Sequence, residues 1–261
     1  MSDENKTQGA QSNNITGRKI FFLYPTTSII NHVIVELAQN EYEAYVAKNH
    51  ERLTPVIKKN PDCVILINID EKFSSQEWEK WMNGIIKSTP SIKIGVFSSN
   101  NNEEFRENFI KNNSFTCCFM PLKLDMTKAT DSILEMLNTL NVKGRRKYLR
   151  ATTDNKTKTV INIPYSGDYI HGVIRDISVV GVSCVFDQDP DLSKNSLLKD
   201  IQIQLQSVLL KVESVVLGSR VDGGERIYVL LFTQRIDPDV RTKIRKFIQQ
   251  NLQRKMDTEI N

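Results

Sequence analysis

Residues 143–186 read KGRRKYLRATTDNKTKTVINIPYSGDYIHGVIRDISVVGVSCVF, and at their start the chain changes character. Upstream, apolar runs alternate with helical periodicities. From here on the chain consists of short runs rich in Val, Ile, Tyr and Phe, broken by Gly, Pro, Asp and Ser. Such runs occupy 159–165, 169–175 and 181–186, and recur at 201–205, 209–217 and 226–233. Six short strands in so short a span predict a small antiparallel barrel or sandwich. A helix over 238–254 closes the chain, with Val240, Ile244, Phe247, Ile248 and Leu252 in one apolar stripe. That stripe predicts packing on the barrel rather than on a membrane, because Asp237, Asp239, Asp257 and Glu259 offset the local charge. Arg241, Lys243, Arg245 and Lys246 are expected to be mostly solvated.

Upstream of the quoted stretch, residues 18–141 predict strands at 20–24, 44–47, 63–69, 92–97 and 116–120. Helices fit 27 to about 44, 51–59, 75–87, 103–111 and 126–140. Short, fully apolar strands alternating with helices imply a five-stranded parallel sheet covered on both faces, a doubly wound α/β domain. This layout resembles response-regulator receiver domains, with Asp70 at the phosphoacceptor position and Ser98 and Ser99 after the fourth strand. The acidic pair that would hold Mg²⁺ is replaced by Tyr24-Pro25-Thr26-Thr27, and no Lys directly precedes Pro121. The metal therefore lacks oxygen ligands and the phosphate its counter-charge, so the domain is expected to be degenerate and Asp70 to serve a loop or cap. Residues 1–17 are polar and predict a disordered tail, residues 142–150 a basic interdomain linker, and residues 151–261 the β domain with its helix.

The composition is that of an ordinary globular protein: 261 residues, 39% hydrophobic, 25% charged, net charge +4. No apolar run is long enough to span a bilayer, and the polar N-terminus lacks the order of a signal peptide. These features lead to the expectation of a cytoplasmic protein without membrane insertion. Cys63, Cys117, Cys118 and Cys184 form no C-x-x-C pair and predict small buried hydrophobes, with neighbouring Cys117 and Cys118 pointing to opposite faces of a strand. His32, His50 and His171 are scattered, so no metal is expected. There is no Walker loop, no G-x-S-x-G and no carboxylate pair beside a histidine, and no catalytic residue is assigned. Charge is uneven: residues 1–142 carry 15 basic and 17 acidic side chains, residues 143–261 carry 20 and 14. The second half favours an anionic partner at low salt. Trp78 and Trp81, three apart on a helix, predict core and interdomain packing.

Two motifs stand in the quoted stretch. Arg146-Lys-Tyr-Leu-Arg150 is an R-x-x-x-R before the first β run, and Asp176-Ile-Ser178-Val-Val-Gly181 is a D-x-S-x-x-G between two β runs. Arg241 to Arg245 repeats the first spacing, so neither motif speaks alone; their order and context do. Together they resemble the PilZ family, receptors for the bacterial second messenger cyclic di-GMP, over about residues 143–255. A divergent N-terminal domain ahead of the barrel, in an Asn/Lys/Ile-rich chain, is similar to two-domain spirochaetal members of that family. Some of those carry a degenerate PilZ-like barrel in front, which the strand–helix alternation here does not favour.

The resemblance implies a six-stranded barrel with a C-terminal helix and a non-catalytic effector that needs no cofactor, with cyclic di-GMP as its ligand. The implied site comprises Arg145, Arg146, Arg150, Asp176, Ser178 and Gly181. Arg145, preceding the first motif arginine, is associated in the family with holding one ligand or a stacked pair, and would contact phosphate. The chemistry is consistent: a guanidinium bridges the O6 and N7 of guanine, and a carboxylate accepts from its N1–H and 2-amino group. Gly181 would relieve bulk at the corner or supply a positive φ. Closure of the linker over the ligand would reorient the two domains and pass the signal to processes such as motility or virulence. A nucleic-acid-binding regulatory protein is the alternative, raised by the basic half; a protein partner stays open and a monomer is the expected state.

Overall fold

A computed structural model describes residues 17–100, 102–112, 116–122, 125–153, 157, 159–234 and 236–260. The expected tail therefore lies, but for Gly17, outside the described residues.

The first half is a parallel sheet of β1 (Ile20–Leu23), β2 (Ala44–Ala47), β3 (Val64–Asn68), β4 (Lys93–Ser98) and β5 (Thr116–Pro121), in the order β2-β1-β3-β4-β5. Its central strands are apolar at nearly every position because both faces are covered. Ile20, Phe22, Val64 and Leu66 share one core with Val33, Leu37, Ile133 and Leu137; Phe21, Leu23, Ile65 and Ile67 share the other with Leu53, Trp78 and Met82. The covering helices are α1 (Val35–Gln39, entered through a π-helical stretch Ile29–Ile34) and α5 (Met126–Thr139) on one side. On the other lie α2 (His50–Lys59), α3 (Ser75–Ser88) and α4 (Glu103–Asn112). This arrangement is receiver-like and rules out a second barrel.

Local chemistry sets the boundaries. Ser74 and Glu77 form a reciprocal capping box that starts α3. The first helix stops at Gln39, short of the expected end near residue 44. There Asn40 turns both its backbone N–H and its side-chain amide onto the Glu36 carbonyl, each at 3.0 Å, and Glu41 takes a φ of +62°. One expectation from strand alternation fails. A register shift between β4 and β5 leaves Cys117 unpaired, so both vicinal thiols lie toward Gly95 instead of on opposite faces. Trp78 is buried, with its indole N–H on the Glu71 carbonyl at 3.0 Å, and Trp81 packs edge-on beside it; both belong to the core of this half.

The second half forms β6 (Ala151–Thr152), β7 (Thr159–Tyr165), β8 (Asp168–Ser178), β9 (Gly181–Phe186), β10 (Leu197–Leu205), β11 (Val208–Asp222) and β12 (Glu225–Phe232). The order β8-β7-β10-β11-β12-β9 closes through the β8–β9 pairing into a six-stranded antiparallel barrel. The two-residue β6 lies beside β8, Thr152 opposite Asp176. Ile161, Ile174, Ile203, Val216 and Leu230 fill the interior.

The final helix α6 (Pro238–Ile260) is longer than expected and serves both halves. Ile244, Phe247 and Ile248 pack on the barrel, as the stripe predicted, while Met256 enters a core of the first sheet. Gln253 binds Val46 of β2 twice: its Oε1 accepts from the Val46 N–H and its Nε2 donates to the Val46 carbonyl, both at 2.9 Å. Lys255 donates to the Thr152 carbonyl at 2.6 Å and fixes β6. Arg245 departs from the expected solvated face, because it turns to the buried carboxylate of Glu41 at 3.6 Å. Among the described residues no helix is long and apolar enough to cross a membrane.

Candidate ligand-binding site

The D-x-S-x-x-G motif is a tight hairpin. β8 runs to Ser178, the turn is Val179–Val180, and Gly181 opens β9. Ser178 donates its hydroxyl to the Gly181 carbonyl at 3.2 Å and accepts from the Val180 N–H at 3.4 Å, which ties the turn to itself. Gly181 has no positive φ; a Cβ there would lie 2.3 Å from the Leu230 carbonyl oxygen on β12, so the requirement is close strand approach.

Register and alternation then fix the chemistry. Ile177 and Val182 point into the core, and Asp176 and Ser183, paired across the hairpin, lie on the opposite face, where Ser183 is itself covered and Asp176 is partly exposed. The Ser183 hydroxyl donates to Oδ2 of Asp176. On its other side Oδ1 of Asp176 lies 3.5 Å from a guanidinium nitrogen of Arg150, two residues before the Thr152 that pairs with Asp176. A carboxylate and a guanidinium are thus presented together on the outer barrel wall, with Arg150 about half exposed. The carboxylate also affects its surroundings: burial first, and then the charge of Asp176, push the Cys184 thiol up to about 12.

Arg145 and Arg146 are exposed on the linker. Arg146 does not join Arg150 at Asp176; it lines a cleft against the first half with Arg18, Glu41, Tyr42 and Tyr148, and Arg150 borders the same cleft. Of the six candidate residues, four converge at the hairpin and two stand off it. Ser183 went unnoticed in the sequence, although the signal was present: a two-residue turn between Ser178 and Gly181 places position 183 opposite position 176.

Among its described residues the receiver-like half has no comparable constellation. The Asp70 carboxylate accepts from the Ser98 hydroxyl at 2.7 Å and the Ser99 N–H at 2.5 Å, tying the loops after β3 and β4 in the loop role expected of it. No cluster of three or more His, Cys, Asp or Glu suited to a metal occurs among the described residues.

Comparison with solved structures finds the K. pneumonia MrkH–c-di-GMP complex at 19% identity and TM-score 0.40, covering 45% of this chain and 57% of that one. The chain thus spans little more than half the length of MrkH. The PilZ domain of YcgR from Escherichia coli with c-di-GMP matches at 14% identity and TM-score 0.36, covering 44% and 96%. A response regulator from Thermotoga maritima matches at 12% identity and TM-score 0.38, covering 47% and 98%. No curated protein matches the chain. The segment that carries both the arginine pair and the Asp176–Gly181 hairpin, residues 144–250, matches the PilZ domain.

Proposed function

We propose that this chain is a non-catalytic cyclic di-GMP receptor of the cytoplasm. The observation that carries the reading is the meeting of Arg150 and Asp176 at 3.5 Å on the outer barrel wall, beside the hairpin, inside the segment that matches PilZ. Arg150 would swing from Asp176 to the O6 and N7 of a guanine, and Asp176 would then accept from the guanine N1–H and 2-amino group. Ser178 and Gly181 would hold the hairpin that presents Asp176, and Arg145 and Arg146 would close on the phosphates. Either one ligand or a stacked pair fits this description.

The chain divides, on this reading, into a receiver-like scaffold over 18–141, a linker over 142–150 and the ligand-binding domain over 151–261. Its domain order is similar to that of the spirochaetal protein PlzA. Ligand capture by the linker would shift the balance between two domain arrangements by the ligand's differential affinity for them.

The nucleic-acid alternative draws on the basic second half, but three cations of α6 are engaged within the protein: Arg245 with Glu41, Arg254 with Thr157 and Lys255 with Thr152. Calorimetric titration with cyclic di-GMP, cyclic di-AMP and GTP, on wild type and on the Arg146→Ala/Arg150→Ala variant, tests the primary reading. Selective binding that the variant loses is expected; a folded protein that binds none of them refutes it.

A further inference from the structure

Glu41 belongs to the receiver-like half, in the left-handed turn after α1, and its side chain is only 14% exposed. Its Oε2 accepts the Leu149 N–H at 2.9 Å. Its Oε1 faces Nε of Arg245 on α6 at 3.6 Å, beyond hydrogen-bond contact, so both buried atoms lack a hydrogen-bond partner. Burial raises the carboxyl pKa, and the Leu149 amide and the Arg245 charge oppose that rise. One carboxylate from the first half thus grips the linker between Arg146 and Arg150 and touches the barrel's own helix as well. The ion pair is poorly made, and imperfectly satisfied buried pairs are poor sources of net stability.

The grip holds the linker where only one of its two motif arginines reaches the hairpin. Both border the cleft against Tyr42 and Arg18, but only Arg150 also lies on Asp176. A ligand held at Asp176 by both arginines needs Arg146 to move toward the hairpin. Leu149 is three residues further on and would move with it, at the cost of its bond to Glu41.

We propose that Glu41 is a positioning residue that holds the linker in the ligand-free arrangement and thereby lowers the affinity of the cyclic di-GMP site; this rests on the receptor reading above. The apparent dissociation constant of such a site is the intrinsic one divided by the fraction of molecules with the linker free. Removing the grip raises that fraction. Binding to the Glu41→Ala variant is expected to tighten by about tenfold, equivalent to about 1.4 kcal/mol. Glu41→Gln keeps a carbonyl for the Leu149 N–H and loses the charge, so it should lie between the two.

The test is titration of full-length wild type, Glu41→Ala and Glu41→Gln with cyclic di-GMP, paired with tryptic cleavage of the ligand-free proteins at Lys143, Arg145, Arg146 and Lys147. Tighter binding with faster linker cleavage in Glu41→Ala is the expected result. Unchanged or weaker binding overturns the proposal, whatever the cleavage rate. Should Glu41→Ala fail to fold, Glu41→Gln carries the test alone, and affinity equal to wild type overturns the proposal. If wild type and variants all fail to bind the nucleotide, the receptor reading itself fails; binding without tightening overturns the Glu41 proposal only.

Discussion

Gly181→Ala isolates the geometric demand of the hairpin from its chemistry. The residue's φ is one that alanine adopts freely, so the backbone itself does not object. The added Cβ would lie 2.3 Å from the Leu230 oxygen and 3.2 Å from the Leu231 Cα, both main-chain atoms of β12. That carbonyl cannot rotate away, because β12 is paired on both sides, with β9 and β11. Relief requires β9 to retreat from β12 by roughly 1 Å, and overpacking of this kind costs about 1–3 kcal/mol. The retreat also stretches the neighbouring bond from the Phe232 N–H to the Val180 carbonyl, now 2.9 Å, worth about 1 kcal/mol net. Together the loss is about 2–4 kcal/mol, a fall in Tm of about 8–16 °C at roughly 4 °C per kcal/mol. Urea and thermal denaturation followed by circular dichroism measure it. Gly84→Ala, with open space around the new Cβ inside α3, is the reference and should gain about 1 kcal/mol. A Gly181→Ala protein as stable as wild type would refute the close-approach argument.

Asp176→Asn should weaken cyclic di-GMP binding by about 10- to 100-fold and leave cyclic di-AMP unaffected, since it removes the acceptor pattern for the guanine edge; equal loss for both nucleotides in calorimetry would contradict the assigned role. Burial, aided by the nearby charges of Asp62 and Asp176 respectively, pushes the Cys63 and Cys184 thiols from 9.0 up to about 12. Their contribution to stability is therefore complete below pH 9.0 and lost as pH rises toward 12, because the unfolded thiols ionise first. Urea midpoints across that range should fall more steeply for wild type than for the Cys63→Ala/Cys184→Ala variant. Met256→Ala, emptying a fully enclosed site in the core of the first half, should cost about 2–4 kcal/mol. Fluorescence of Trp78 and Trp81 reports on that half, and an unshifted transition there would show that α6 does not support it.

The strands were legible because their surroundings are uniform. Apolar runs at 64–68 and 20–23 announce a sheet covered on both faces, and alternation in 159–165 announces one covered on a single face. What the residues could not disclose depends on groups far apart in the chain. The extension of α6 past Arg254 was hidden because Met256 is buried by the first sheet rather than by the barrel. Arg245 looked like one more surface cation until Glu41, some 200 residues earlier, was seen opposite it. The vicinal cysteines were misread because a bulge breaks the two-residue period locally. At the candidate site the motif residues were visible individually, but that Arg150 alone of the two arginines reaches Asp176 was not, since it reflects how the linker lies against the first half.

Gln253 stands where a sixth strand could add to the first sheet. Its amide matches both the donor and the acceptor of Val46, as the backbone of a neighbouring strand would, and so blocks the outer rim of β2. The PilZ match ends at residue 250, three residues before it. A chain shortened to that boundary keeps every motif residue yet leaves β2 with a bare hydrogen-bonding edge, the kind of surface on which separate molecules join edge to edge and aggregate. The last turns of α6 thus cap the edge of β2, a task unrelated to the barrel on which the helix begins.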